Sequence, residues 1–112
     1  MRSRKQPRRP VEQFLGEIET EIVGLQYYGG TVTPGEHVNL EREPENQYAP
    51  SLIRVENGFF QTTGYIDRHT SSWLAPLIDS GQVRVEGYIP AGEVTAGDGP
   101  VSQRLALMVF LS

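Results

Sequence analysis

The chain has no cysteine in its 112 residues, which excludes disulfides and thiolate metal sites and suits a reducing compartment. Its two histidines, His37 and His69, fall in different expected elements, so the clustered imidazoles of a zinc site are missing. No apolar run is long enough to span a bilayer, and the basic N-terminus carries no apolar secretion segment. The expectation is an intracellular protein without membrane contact, cytoplasmic in a bacterium and nuclear in a eukaryote. Neither the phosphate-cradling P-loop nor the dinucleotide-binding glycine pattern is present. Glu41, Glu43 and Glu45 read as a solvated strand end, not a catalytic carboxylate pair. Asp67, His69, Ser71 and Ser72 crowd a helix start, where capping alone favours Ser and Asp. The chain is expected to be no enzyme and to need no cofactor.

What is present is ordinary for one small globular domain. Hydrophobic residues make up 38% and charged residues 21%. The net charge of −4 conceals an asymmetry. Residues 1–10 hold Arg2, Arg4, Lys5, Arg8 and Arg9 and no acid. The other 102 residues hold five basic and fourteen acidic side chains, a formal charge of −9. Phosphate contact over a broad face needs dense Lys and Arg, so nucleic-acid binding by this body requires a small pocket. Residues 1–10, with dense charge and two prolines, read as a disordered tail. A DNA arm, a nuclear import signal and plain solubilising disorder all fit it. The folded domain is expected over residues 11–112.

Alternation marks the strands. Ile18, Thr20 and Ile22 share one side of a strand expected over Glu17–Leu25. His37–Arg42, Leu52–Glu56, Phe59–Asp67, Gln82–Ile89 and Gln103–Leu111 follow. In the last, Leu105, Leu107, Val109 and Leu111 face one way, Met108 and Phe110 the other. Asn57-Gly58 is a two-residue hairpin signal. Arg68–Ser80 is the one good helix, with Trp73, Leu74, Leu77 and Ile78 on one face and Gly81 as its C-terminal cap. Pro76 lies inside it, so a kink or a start near Ser71 or Ser72 is the alternative. The loops are Glu43–Gln47 and Pro90–Pro100. About six short strands and one helix predict a mainly β protein, a small barrel or sandwich.

One tyrosine, Tyr48, stands where burial explains it poorly. Tyr27 and Tyr28, on a strand, would face opposite sides. Tyr48 lies in a polar loop, where the residues alone favour a ring that folds back and a hydroxyl that pins the loop. Exposed aromatics on a small barrel also suit base stacking.

The spacing of Gly24-Leu25-Gln26-Tyr27-Tyr28, Asn46-Gln47-Tyr48, Ile53-Arg54-Val55 and Gly64-Tyr65-Ile66 resembles the HIRAN domain. That module occurs at the N-terminus of Swi/Snf-type translocases that remodel stalled replication forks and as a lone bacterial domain. The resemblance spans residues 17–111 and implies an oligonucleotide-binding-type barrel, a type used for single-strand binding, with a pocket that grips the 3′ end of single-stranded DNA. It implies that Tyr27 stacks on the terminal base beside Tyr28, that Asn46, Tyr48 and Tyr65 line the pocket, that Arg68 meets phosphate, and that Phe110 stacks on a base.

Three departures stand out. Ala49 replaces the aspartate that in the family accepts a hydrogen bond from the 3′-hydroxyl, a bond worth about 1.5–3 kcal/mol. Gln26 stands where arginine is frequent, and Ser51-Leu52 where Asn-Ala is usual. The stacking residues survive while the end-reading ones do not. The expected function is a module for single-stranded DNA or DNA ends in repair or fork processing, with a helicase or nuclease partner and little preference for a free 3′-hydroxyl. The alternative is a protein-interaction or structural module that keeps the fold without DNA-end binding.

Overall fold

Six antiparallel strands close on themselves in the order β1-β4-β3-β2-β5-β6, with β6 returning to β1. This computed structural model describes residues 12–91 and 102–112; the basic tail and most of the expected 90–100 loop lie outside the described residues. The strands are β1 (Gln13–Val23), β2 (His37–Arg42), β3 (Ile53–Glu56), β4 (Thr62–Ile66), β5 (Val83–Tyr88) and β6 (Ser102–Leu111), and the helix is α1 (Arg68–Asp79). The mainly β class, the barrel and the one α-helix among the described residues match the sequence expectation.

Closure follows from one apolar face per strand. Ile22, Val38, Ile53, Val55, Ile66, Val83, Leu105 and Leu107 meet inside the barrel. Leu74 and Ala75 of α1 complete that cluster, and a buried Thr20–Thr70 hydroxyl bond of 2.7 Å ties the helix to β1. A closed barrel leaves no unpaired strand edge.

Several local expectations are corrected. β1 starts four residues earlier than expected, taking in Phe14 and Leu15 through a bulge between Phe14 and Gly16. It stops at Val23 because Gly24 takes φ +80° and turns the chain into a 3-10 turn, η1 (Leu25–Tyr27). Tyr27 and Tyr28 are therefore not on a strand. On α1 the buried row is Thr70, Ser71, Leu74 and Ala75. Trp73 stands on its shoulder and keeps 46% of its surface exposed. The helix begins at Arg68 after Asp67, not at a serine cap; the Ser71 and Ser72 hydroxyls donate back to the carbonyls of Arg68 and His69. Pro76 sits inside without ending the helix.

The C-terminal cap is as expected. Gly81, at φ +78°, donates its N–H to the Ile78 carbonyl, and Gln82 donates to Leu77, the paired bonds of a Schellman motif. At the far end of β6, Leu105 and Leu107 are buried, Val109 is half-buried and Leu111 is exposed. Ala106, on the opposite side, is buried too.

Asn57-Gly58 does not form a two-residue hairpin. β3 ends at Glu56 and β4 starts at Thr62, so residues 57–61 form a five-residue loop. The Asn57 side chain builds it: Oδ1 accepts the N–H groups of Phe59 and Gln61, and Nδ2 donates to the Thr31 carbonyl and Gln61 Oε1. Phe59 and Phe60 leave the expected strand and stand exposed at the tip, Phe60 in the left-handed region at φ +62°.

Candidate functional site

A groove of about 310 Å³ opens where β1 runs out, walled by η1, the β2–β3 loop and the junction of β4 with α1. Val23, Leu52 and Ile66 give it an apolar floor, and Tyr27, Tyr28, Tyr65, Asn46 and Arg68 bring the polar and aromatic groups.

Two glycines set its inner wall. A Cβ on Gly64 would lie 2.4 Å from the Val23 carbonyl oxygen, and one on Gly30 would lie 2.6 Å from that of Thr62. Only bare backbone allows the segment between them to press against β4. The Gly30 N–H bonds Thr62 at 3.0 Å, and the Tyr27 N–H closes the 3-10 turn onto Gly24 at 3.0 Å. This short, tied segment presents Tyr27 with 77% of its surface exposed. The Tyr28 ring turns inward and meets the Tyr65 ring edge-on at 5.7 Å, a favoured aromatic geometry.

The outer wall is a loop organised by Asn46. Its Oδ1 accepts the N–H groups of Tyr48 at 2.9 Å and Ala49 at 3.1 Å, and its Nδ2 reaches Glu43 Oε1 at 3.3 Å. Asn46 thus lines the groove while its acceptor is already engaged. Tyr48 belongs to the same loop but points away, 88% exposed and outside the lining. Among the described residues no hydrogen bond to the Tyr48 hydroxyl pins the loop.

The two walls are joined by Glu43. Its Oε2 accepts from Arg54 Nη1 at 2.7 Å and from the Tyr65 hydroxyl at 2.9 Å. Burial pushes the Glu43 carboxyl up, but the hydrogen bonds from Tyr65, Arg54 and Asn46 outweigh it and hold the group below the usual carboxylate value. Burial, then the Glu43 carboxylate, pushes the Tyr65 hydroxyl up to about 12. Glu43, taken above as a solvated strand end, is instead the keystone of the site. Asn46 is a local donor, but the two on Oε2 come from β3 and β4, so no local spacing signals the role of Glu43.

Arg68 supplies the charge. Of the five arginines in the described residues, Arg42, Arg54, Arg84 and Arg104 pair with carboxylates. Arg68 has no ion pair or side-chain hydrogen bond among the described residues, and it lines the groove. A guanidinium with its five donors free in an aromatic groove is equipped to take an anion.

A model of the HIRAN domain family matches residues 15–109. The chain belongs to the HIRAN family. It is 43% identical over 77 residues to a putative SWI/SNF-related matrix-associated actin-dependent regulator of chromatin subfamily A member 3-like 1 of Arabidopsis thaliana, covering 69% of this chain and 9% of that protein. It therefore spans about a tenth of the length of the curated relatives it matches. The crystal structure of the HIRAN domain of human HLTF is similar at a TM-score of 0.78 and 26% identity, over 89% of this chain and 79% of that one. The NMR structure of the HLTF HIRAN domain in its DNA-bound conformation is similar at 0.71 and 27% identity, over 88% and 78%.

On this HIRAN barrel the sequence-chosen residues separate into two places. Tyr27, Tyr28, Asn46, Tyr65 and Arg68 converge on the groove. Gln26, exposed on η1, and Tyr48 flank it without lining it. Phe110 does not belong to it. Phe110 pairs with Phe14, whereas the groove begins at Val23, nine residues along β1 or roughly 30 Å at 3.3 Å per residue. There its ring packs on Phe14 at 5.4 Å and lies under the Arg84 guanidinium at 4.5 Å. Ala49 is buried, with 9% exposed, and brings no acceptor to the site.

Among the described residues no group of three or more His, Cys, Asp or Glu could hold a metal ion. None of their helices is long and apolar enough to cross a membrane.

Proposed function

We propose that this HIRAN domain binds single-stranded DNA or DNA ends in the groove, as a non-catalytic module of repair or fork processing inside the cell beside a helicase or nuclease. The observation that carries the reading is the pairing of an exposed stacking ring, Tyr27, with the unpaired guanidinium of Arg68 in one groove. Every base has a π-face, so a tyrosine platform is sequence-tolerant, and stacking is worth about 1–3 kcal/mol per base. Tyr27 stacks a base, Arg68 meets a phosphate, and Tyr65 and Asn46 keep the walls in place. The DNA-bound conformation of the HLTF HIRAN domain, similar over most of this chain, supports the reading. The basic residues 1–10 add salt-dependent affinity.

A protein-interaction role is favoured by one observation: the acidic body spends four of its five arginines on its own carboxylates. Fluorescence anisotropy with a single-stranded oligonucleotide separates the two. Binding that persists after deletion of residues 1–10 and weakens in Tyr27→Ala supports the groove. Binding that vanishes with the tail, or ignores Tyr27→Ala, refutes it and favours a protein partner.

A further inference from the structure

This inference deepens the reading of the groove given above and rests on it. What the groove offers a ligand is donors. The Arg68 guanidinium is free among the described residues, and no carboxylate lines the groove. The Asn46 carbonyl oxygen is spent on two backbone N–H groups. The carboxylate that ties the two walls, Glu43, has both oxygens engaged by Arg54, Tyr65 and Asn46, and Asp67, which precedes Arg68, is not part of the lining. Ala49 is buried and has no acceptor to give.

A strand that ends in a hydroxyl brings a donor and finds no carboxylate in the lining and the Asn46 amide oxygen already in use. A strand that ends in a phosphomonoester brings three strong acceptor oxygens and a charge of about −1.5 to −2 at pH 7. It also fits the planar fork of a guanidinium, which binds phosphate through two parallel N–H bonds. The volume of about 310 Å³ lies at the small end for ligand sites, suited to one terminal nucleotide.

We propose that the groove selects the phosphorylated end of a single strand, with the terminal phosphomonoester on Arg68 and the last base on Tyr27. A 3′-phosphate and a 5′-phosphate present the same chemistry, and the test has an arm for each. The full chain is titrated with one labelled oligonucleotide, and four competitors are ranked. They are the 3′-phosphate, the 5′-phosphate, the hydroxyl-ended strand, and a hydroxyl-ended strand one nucleotide longer, which carries the added phosphate internally.

One phosphorylated end is expected to compete about three- to tenfold better than both hydroxyl-ended strands. The preference should vanish in Arg68→Gln, persist in part in Arg68→Lys, and fade as pH falls through about 6, where the phosphomonoester takes up its second proton. Equal ranking of all four overturns the proposal, as does a preference that survives Arg68→Gln. In both cases hydroxyl-ended strands that still bind in a Tyr27-dependent way leave the single-strand reading standing. Failure of every strand to bind overturns both.

Discussion

The Tyr65 hydroxyl donates to Glu43 Oε2 across 2.9 Å, so the strand behind the groove and the loop in front of it are held as one piece. The bond favours the neutral phenol in the folded state, where the hydroxyl is pushed up to about 12 from 10. A raised folded-state value contributes stability fully below the unfolded value and loses it as pH rises through the folded one. Stability of the native chain should therefore decline between about pH 10 and 12 through this group. Tyr65→Phe should be about 1 kcal/mol less stable at neutral pH and lack that component of the alkaline decline, as read by urea titrations across the range.

Acid acts on the other partner. Glu43 is held below the ordinary carboxylate value of 4.5, so its contribution is present above that value and is lost as pH falls through the depressed one. Glu43→Gln removes the charge that Arg54 and Tyr65 share. The variant should be less stable at pH 7 but should flatten the acid limb below about pH 4.5, narrowing the gap from wild type. An unchanged limb would show that Glu43 does not report on folding.

Tyr27 and Phe110 give opposite signatures if the groove is the binding site. Tyr27→Ala removes an exposed ring, so stability should move by less than about 0.5 kcal/mol. Affinity for a single strand should fall about fivefold or more. Phe110→Ala removes the contacts with Phe14 and Arg84. It should cost about 2 kcal/mol of stability, less than a fully buried phenylalanine, and leave affinity unchanged. Denaturation and anisotropy on the same two variants check both halves.

What the sequence shows of this protein is what is local. Alternation of Ile18, Thr20 and Ile22 marks β1, and Gly81 marks the end of α1, because strand faces and left-handed caps depend on near neighbours. The misplacements are long-range. Asn57-Gly58 looks like a tight turn until the Asn57 amide is seen to bond Thr31, 26 residues away. Tyr27 looks like a strand residue until Gly30 and Gly64 are seen to press its segment onto β4. Glu43 is anonymous until the ladder sets Arg54 opposite Tyr65. The resemblance implied a base-stacking role for Phe110, yet the β1–β6 register carries it to the other end of the ladder.

The same long-range tie makes Asn57 a stability determinant. The residue is 1% exposed and makes four side-chain hydrogen bonds, to Phe59, Gln61 twice and Thr31. Asn57→Ala strips partners from backbone groups inside the loop, and a buried group left unsatisfied costs about 1–3 kcal/mol. A total loss of about 3 kcal/mol is expected, read as a lowered urea midpoint. Phe59→Ala, at the exposed tip of the same loop, should be near neutral.

Gly64 links stability to the groove itself. A Cβ there would lie 2.4 Å from the Val23 carbonyl oxygen and 2.8 Å from Ile22 Cγ2. The first obstacle is backbone, so β1 and β4 must part where Val23 pairs with Tyr65. Gly64→Ala should cost about 1–3 kcal/mol through overpacking. Because Val23 and Tyr65 both line the groove, it should also weaken strand binding under conditions where the variant is still folded. Gly58→Ala serves as the contrast: its Cβ would meet only the Glu36 carboxylate, at 3.4 Å. That flexible end can yield, so both stability and affinity should stay close to wild type. If Gly64→Ala lost stability and kept full affinity, the spacing of β1 and β4 would not set the groove.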